Sequence, residues 1–285
     1  MVLALFILTA IGTLPADDAL PLVLLEEDVD GATISADGKT LMIVTFSESK
    51  KLYELSLMNL SSKKKTTILS ALSISTPRMN PDNSRIIFMG RAKAQGLTRD
   101  GLWIMNADGS GLEPFPAVSP VGTEDGYGFW SPDGKLLAFT RNGQIWMARA
   151  DGSNPKLIAK GDPDSFATVN DWMDSTMLVT RTDYSGDKPT WYLMEQETGK
   201  LTKLGLQTYS DVIFIDSTET LLYGQGPLKI WNIEDDEEDP EYLPIEPAFM
   251  GNVWLSRSED SSKVLLEAMD DMDTSIHHLY IIDTE

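Results

Sequence analysis

FWSPDGKLLAFTRNGQIWMARADGSNPKLI, residues 129–158, decides the fold of this chain. It opens on an aromatic residue and a Ser131-Pro132-Asp133-Gly134 turn, followed by a short apolar run from Leu136 to Thr140. A turn at Asn142-Gly143 leads into a second run, Gln144 to Arg149, which carries Trp146; another at Asp151-Gly152 leads into Pro155 to Ile158. Asn-Gly and Asp-Gly between alternating runs are strong hairpin signals, because these residues tolerate positive φ and so match the twist of the flanking strands. The stretch is therefore a meander of antiparallel strands. A sheet this small buries too little to stand alone, so it requires copies of itself.

The chain supplies them. The same turn opens SADGKTLMIV at Ser35, NPDNSRIIFM at Asn80 and SPDGKLLAF at Ser131, with weaker copies at Asp171, Ile215 and Ser258. The anchor aspartates are Asp37, Asp82, Asp133, Asp174, Asp216 and Asp260, about 41 to 51 residues apart, the period of a four-stranded propeller blade. A second register keeps step: an aromatic residue heads the third strand of each copy, at Tyr53, Trp103, Trp146, Tyr192, Trp231 and Tyr280. These aromatics are read as packing between blades.

The ends give a third argument. The last copy stops at HLYIIDTE, a third strand with no fourth behind it, and Leu20 to Leu25 is an apolar strand without a partner in its own copy. Pairing Leu20 to Leu25 with His278 to Asp283 closes the ring and removes an exposed sheet edge. The predicted fold is all-β: a six-bladed β-propeller of four-stranded antiparallel blades, closed by an N-terminal strand that completes the last blade. The predicted divisions are a leader at 1–19 and a propeller at 20–285, with blades near 26–70, 71–118, 119–160, 161–206, 207–246 and 247–285 plus 20–25.

The formal charge of −21 and pI near 4.4 repel phosphate backbones, which argues against a nucleic-acid partner. With no cysteine, disulfides, thiolate chemistry and Cys-based metal sites are excluded. Val2 to Ile11 is apolar and too short to span a bilayer as a helix. With Ala16 behind it, the segment reads as an export signal, although no Lys or Arg precedes the run; an N-terminal tail or membrane anchor is the alternative. The acidic stretch Glu234 to Glu241 reads as a solvated surface loop.

Residues 131–153, with Ser-Pro-Asp-Gly-Lys, Ala-Phe-Thr-Arg, Ile-Trp-Met and Ala-Asp-Gly-Ser, resemble the WD-like propeller repeats of the TolB type, and 102–111 match nearly as well. The later copies match loosely. TolB itself carries an α/β domain ahead of its propeller, whereas about twenty residues precede the first blade here, so the chain resembles a stand-alone TolB-like propeller. The resemblance implies a periplasmic or secreted protein that binds another envelope or secreted protein. Similar repeats also form the regulatory propeller of prolyl-oligopeptidase-like hydrolases.

Catalytic motifs are few. The two histidines, His277 and His278, are adjacent in one strand and point to opposite faces, so they cannot converge on one metal or substrate. There is no Gly-x-Ser-x-Gly elbow, phosphate-cradling Gly-rich loop or His-Glu-x-x-His. No catalytic residue, metal or cofactor is assigned. At the end of the second strand, successive copies place Phe46, Arg91, Arg141, Arg181, Gln225 and Ala268 in register. Arg has the fork to hold a carboxylate or other anion; the alternative is pairing with loop acids such as Asp125 or Asp183. Loop aromatics, including Tyr127, either line the channel mouth or seal the inner strand. The candidate binding residues are therefore Arg91, Arg141, Arg181, Gln225, Asp125 and Tyr127. The expected function is non-catalytic binding of a protein segment or small ligand at the channel mouth by a monomer, with membrane contact only through an uncleaved leader. The alternative is a lyase or hydrolase using loop carboxylates and the arginines, or the propeller of a hydrolase.

Overall fold

In the computed structural model, residues 129–158 fold as one blade. The structure describes residues 20–21, 23–91, 101–117, 126–160, 165–183, 189–206, 211–215, 217–224, 228–233, 241–242, 245–246, 253–269 and 277–283. Residues 1–19, expected from the sequence to form a leader, and most of the acidic stretch lie outside the described residues, as does the anchor Asp216. In blade three, strands Gly126–Trp130, Leu136–Arg141, Gln144–Arg149 and Lys156–Ala159 pair antiparallel in that order. Asn142 and Gly143 both take positive φ, 50° and 69°, and Arg141 pairs with Gln144 across them. That is the backbone of a type I′ hairpin turn.

Five more sheets of four strands repeat the plan. Their inner strands are Gly31–Ile34 in blade one, Ser73–Met79 in two, Ser165–Met173 in four, Val212–Ile215 in five and Val253–Arg257 in six. Among the described residues no helix forms, and none is long and apolar enough to cross a membrane. Each interface between neighbouring blades holds its own apolar cluster. Met42, Ile86, Phe88 and Trp103 fill the one between blades one and two, and Leu41, Ile43, Leu265 and Leu279 the one between six and one. Those at the other four interfaces are equally dense in buried Leu, Ile, Val and aromatic side chains. The core is thus a ring of interfaces, each blade burying both faces, and no blade is stable without its neighbours.

The ring closes as the sequence predicts, a few residues further along. Val23–Glu27 pairs antiparallel with His277–Asp283, with Leu24 opposite Tyr280 and Glu27 opposite His278. Leu20–Pro21 instead pairs in parallel with Ile245–Glu246 of the fifth copy. The closing strand is therefore 23–27 rather than 20–25. Val29 N donates to His277 O at 3.2 Å, carrying the tie into blade one.

Two registers shift by a few residues. Ser35 Oγ donates to Asp37 Oδ1, which also accepts Lys39 N, and the pairs Ser131/Asp133 and Ser258/Asp260 repeat this. Hydrogen bonds from Lys135 and Ser131 hold Asp133 down to a pKa of about 2, so these aspartates are turn locks. Two residues before the second strand, Gly38, Asn83, Gly134 and Ser261 take positive φ. In blade four Asp174 occupies that position, at φ 50°, so it stands in the glycine's place rather than that of Asp37. Trp103, Trp146, Tyr192 and Tyr280 pair with the fourth residue of the second strand, but in blade one that partner, Ile43, faces Ser56. Tyr53 lies three residues earlier and packs edge-on against Phe46, ring centroids 5.1 Å apart.

Candidate functional site

The two ends of the channel differ. At the end where the inner strands begin, Arg91, Arg141 and Arg181 lie at or near the ends of the second strands, opposite Ser73, Gln144 and Ala167 respectively. The Arg141 guanidinium sits 5.2 Å over the Trp146 ring and that of Arg181 5.6 Å over Tyr192. Arg181 also donates to Lys160 O at 2.8 Å. These two cations are held by the aromatic third-strand residues of their own blades. Tyr127 is exposed at the same end, with φ 47° inside a register shift of the inner strand. Asp125 and Gln225 lie outside the described residues.

The pocket is at the opposite end, where the inner strands finish and turn outward. It encloses about 290 Å³ and takes lining from the inner strands of all six blades. Arg78, Phe129, Asn170, Asp171, Ser256 and Arg257 supply its polar and aromatic character. Two of these charges follow backbone irregularities. In blade two the pairing slips between Ser75 and Arg78, with Thr76 at φ 45° and Pro77 next to it. In blade four it slips between Val169 and Asp171. A bulge adds a residue on one strand and re-aims the side chain that follows. Here it turns Arg78 and Asp171 towards the axis.

Asp171 and Arg257 form the pocket's one fixed ion pair among the described residues. Arg257 Nε stands 3.1 Å from Asp171 Oδ2, the two side chains being 7% and 6% exposed. Asp171 also accepts Trp172 N at 2.7 Å and Phe214 N at 2.9 Å. Arg257 Nη2 also donates to Asp171 Oδ1 at 3.4 Å, and its Nη1 donates to Ser258 O and Glu259 O. Both charges are therefore satisfied, and together they bolt blades four, five and six. Arg78 is different. Its guanidinium stacks 4.0 Å over Phe129 of the neighbouring blade. Among the described residues it has no hydrogen-bond acceptor and no carboxylate within ion-pair distance. Burial pulls its pKa down, partly offset by Asp211 and Asp171 across the channel. Asp211, at the head of the inner strand of blade five, accepts Leu255 N at 3.2 Å, and burial pushes its pKa up to about 6.

A second polar group sits on the closing blade. Glu267 Oε1 lies 2.6 Å from His277 Nδ1 while its Oε2 accepts Ala32 N of blade one, and His277 stacks on Trp254, centroids 5.0 Å apart. His278 packs edge-on with Tyr280 instead, so the two histidines do diverge. Among the described residues no three His, Asp or Glu side chains are gathered as a metal site would need.

Sequence reasoning passed over Arg78, Asp171, Asp211 and Arg257 because each comes from a different blade at no shared register. Two signals were available: a proline inside an inner strand at Pro77, which marks a bulge, and the polar pair Asn170-Asp171 in an otherwise buried run.

No protein-family model matches the chain. A probable dipeptidyl peptidase 4 from Emericella nidulans is 30% identical over 112 residues, 38% of this chain and 14% of that protein. The chain thus spans about one-seventh of that relative's length. Among solved structures, TolB from Acinetobacter baumannii is similar at TM-score 0.59 and 16% identity, covering 87% of this chain and 64% of that one. An oligogalacturonate lyase from Vibrio parahaemolyticus is similar at TM-score 0.59 and 15% identity, covering 91% and 78%. At such identities the shared property is architecture: this chain has the TolB-like six-bladed β-propeller fold, one that enzymes carry as well.

Proposed function

We propose that the protein is a non-catalytic, exported binding propeller that takes a protein segment or small ligand into the pocket at the turn end of its channel. The observation that carries this reading is the pocket itself. One concave site receives side chains from all six inner strands, with a cation, an aromatic face and hydroxyl and amide groups converging on it. Pockets of this kind on rigid scaffolds are the usual place for ligands. The fold likeness to TolB supports export and an envelope or secreted partner. The polar side chains that converge are locked by backbone contacts, as Asp171 and Arg257 are, or stacked, as Arg78 is, and this favours recognition over proton transfer.

The test compares wild-type protein with Ala36→Trp, which fills the pocket mouth, and with an Arg91/Arg141/Arg181 triple alanine variant. All three are used as bait against the native envelope fraction. The expected result is that Ala36→Trp loses proteins that both others retain. Identical recovery by Ala36→Trp and wild type overturns binding of a protein segment at the pocket and leaves the small-ligand arm to the titrations below, and loss by the triple variant alone moves the site to the arginine end of the channel. Turnover of an oligogalacturonate or a peptide by the wild-type chain would restore the enzyme alternative.

A further inference from the structure

We infer that Arg78 makes this pocket a receptor for a monocarboxylate with an apolar body, the carboxylate docking on the guanidinium. The inference rests on the pocket being the binding site proposed above. A guanidinium presents five N–H donors in a fixed fork and stays charged in proteins. Surrounding such a group with protein while leaving it without an acceptor is costly, and interiors rarely leave it so. The Arg78 guanidinium lies within the protein envelope, yet water in the pocket still reaches part of the side chain. Its donors are thus offered to whatever occupies the pocket. Its counter-charges are displaced: Asp171 is committed to Arg257, and Asp211 to Leu255 N.

The surroundings narrow the anion. Arg78 is the pocket cation left to a ligand, and Asp171 and Asp211 face it at longer range, so each further negative charge on the ligand adds repulsion and a doubly charged phosphate is disfavoured against a carboxylate. Ser256 lines the same pocket; its Oγ accepts Ile34 N at 3.3 Å, and its own proton has no protein acceptor among the described residues. It can donate to a second carboxylate oxygen. Phe129, Trp172, Ile213 and Leu255 supply apolar lining for the body of the ligand. The chain's charge of −21 opposes any anion at long range, so selectivity comes from this local geometry. Two sources share the chemistry, a free organic acid and the C-terminal carboxylate of a peptide.

The probes are hexanoate and hexanamide, the tripeptide Ala-Ala-Phe with a free or amidated carboxyl, and inorganic phosphate, each titrated calorimetrically into full-length protein at about pH 7.5, where a carboxylate is ionised. A charge-assisted hydrogen bond predicts an acid preferred over its amide by about tenfold or more, and Arg78→Met abolishing that preference. Arg78→Lys, which keeps charge without the fork, retains part of it, and melting curves establish that both variants are folded. Stronger binding of hexanoate assigns the free acid as the source, and stronger binding of the free tripeptide assigns a chain terminus. Equal binding of acid and amide, unchanged acid binding by Arg78→Met, no binding of either acid, or tightest binding of phosphate overturns the inference. If amides bind wild type and are lost in Ala36→Trp, the pocket reading survives and only its carboxylate specificity falls. If acids bind in the Arg78-dependent way while Ala36→Trp captures the wild-type set of proteins, the pocket takes a small acid and only the protein-segment arm of the reading falls.

Discussion

Replacing Asp211 with Asn should stabilise the protein near neutral pH and leave it unchanged in mild acid. Burial opposes ionisation of this carboxyl more than Leu255 N and Arg78 favour it, and the pKa rises from 3.8 to about 6. One pKa unit corresponds to about 1.36 kcal/mol, so forcing the group to ionise in the folded state costs about 3 kcal/mol at the upper end. The sign follows from proton binding. Between the two pKa values the folded chain holds a proton that the unfolded chain has released, so stability falls as pH rises through about 6 and levels off above it. Asn keeps the acceptor for Leu255 N and never ionises. The difference between variant and wild type should therefore be near zero at about pH 4 and reach about 1 to 3 kcal/mol at about pH 7.5. In a domain of this size that is a rise in Tm of about 2 to 6 °C. Taking the difference cancels the surface carboxylates, whose mutual repulsion in a chain of charge −21 gives a slope of the same sign in both proteins. Urea melts of both proteins across that pH range are the assay. A difference that does not change with pH, or a variant less stable at neutral pH, would refute the reasoning.

Asp171→Asn should destabilise by about 3 to 5 kcal/mol, because it leaves Arg257 buried without its counter-charge. The double variant Asp171→Asn/Arg257→Met should lose less than the sum of the single losses in urea melts. Gly199 has φ 68° and a Cβ there would lie 2.2 Å from Ile158 O, whereas one on Gly205 meets nothing within 4 Å. Gly199→Ala should therefore cost about 1 kcal/mol or more and Gly205→Ala well under that, read as Tm. Removing residues 1–27 strips the strand paired with His277–Asp283. The bared edge should lower Tm and promote self-association visible by gel filtration; a truncated chain that melts like wild type would contradict closure by this strand.

The repeat and the pocket were unequally legible in the sequence, for one physical reason. A blade needs the same local devices each time: Ser35 locking Asp37, Asn142-Gly143 reversing the chain, an aromatic on the third strand. Such devices recur with a period and can be read from a row of letters. Even there the shifts mark where the local rule bends. Asp174 tolerates the left-handed position that glycine fills elsewhere, and Ser56 replaces an aromatic by bonding Thr67 across the strand at 3.0 Å. A closed ring brings six inner strands to one axis, and whatever lies there is shared by all blades and repeated in none. Arg78 comes from the second, Asp171 from the fourth, Asp211 from the fifth and Arg257 from the sixth.

This inverts how a propeller's sequence should be searched for its site. The arginines in register, Arg91, Arg141 and Arg181, drew attention because they repeat, yet repetition is what blade architecture itself demands. The structure gives Arg141 and Arg181 that kind of role, each stacked on an aromatic of its own sheet. The charged groups at the channel break register, and among them Arg78 is the one whose side chain hydrogen-bonds nothing among the described residues, whereas Asp171 and Arg257 also tie three blades together. Breaking register took a bulge with Thr76 at positive φ in one strand and a slipped pairing in another, a strain of order 1 kcal/mol or more at such a residue. The inner strand of blade three carries a slip of the same kind at Tyr127, φ 47°, away from the pocket, so irregular pairing alone does not mark the site. What sets blade two apart is that its slip ends at Arg78, the pocket cation on which the proposed carboxylate docks.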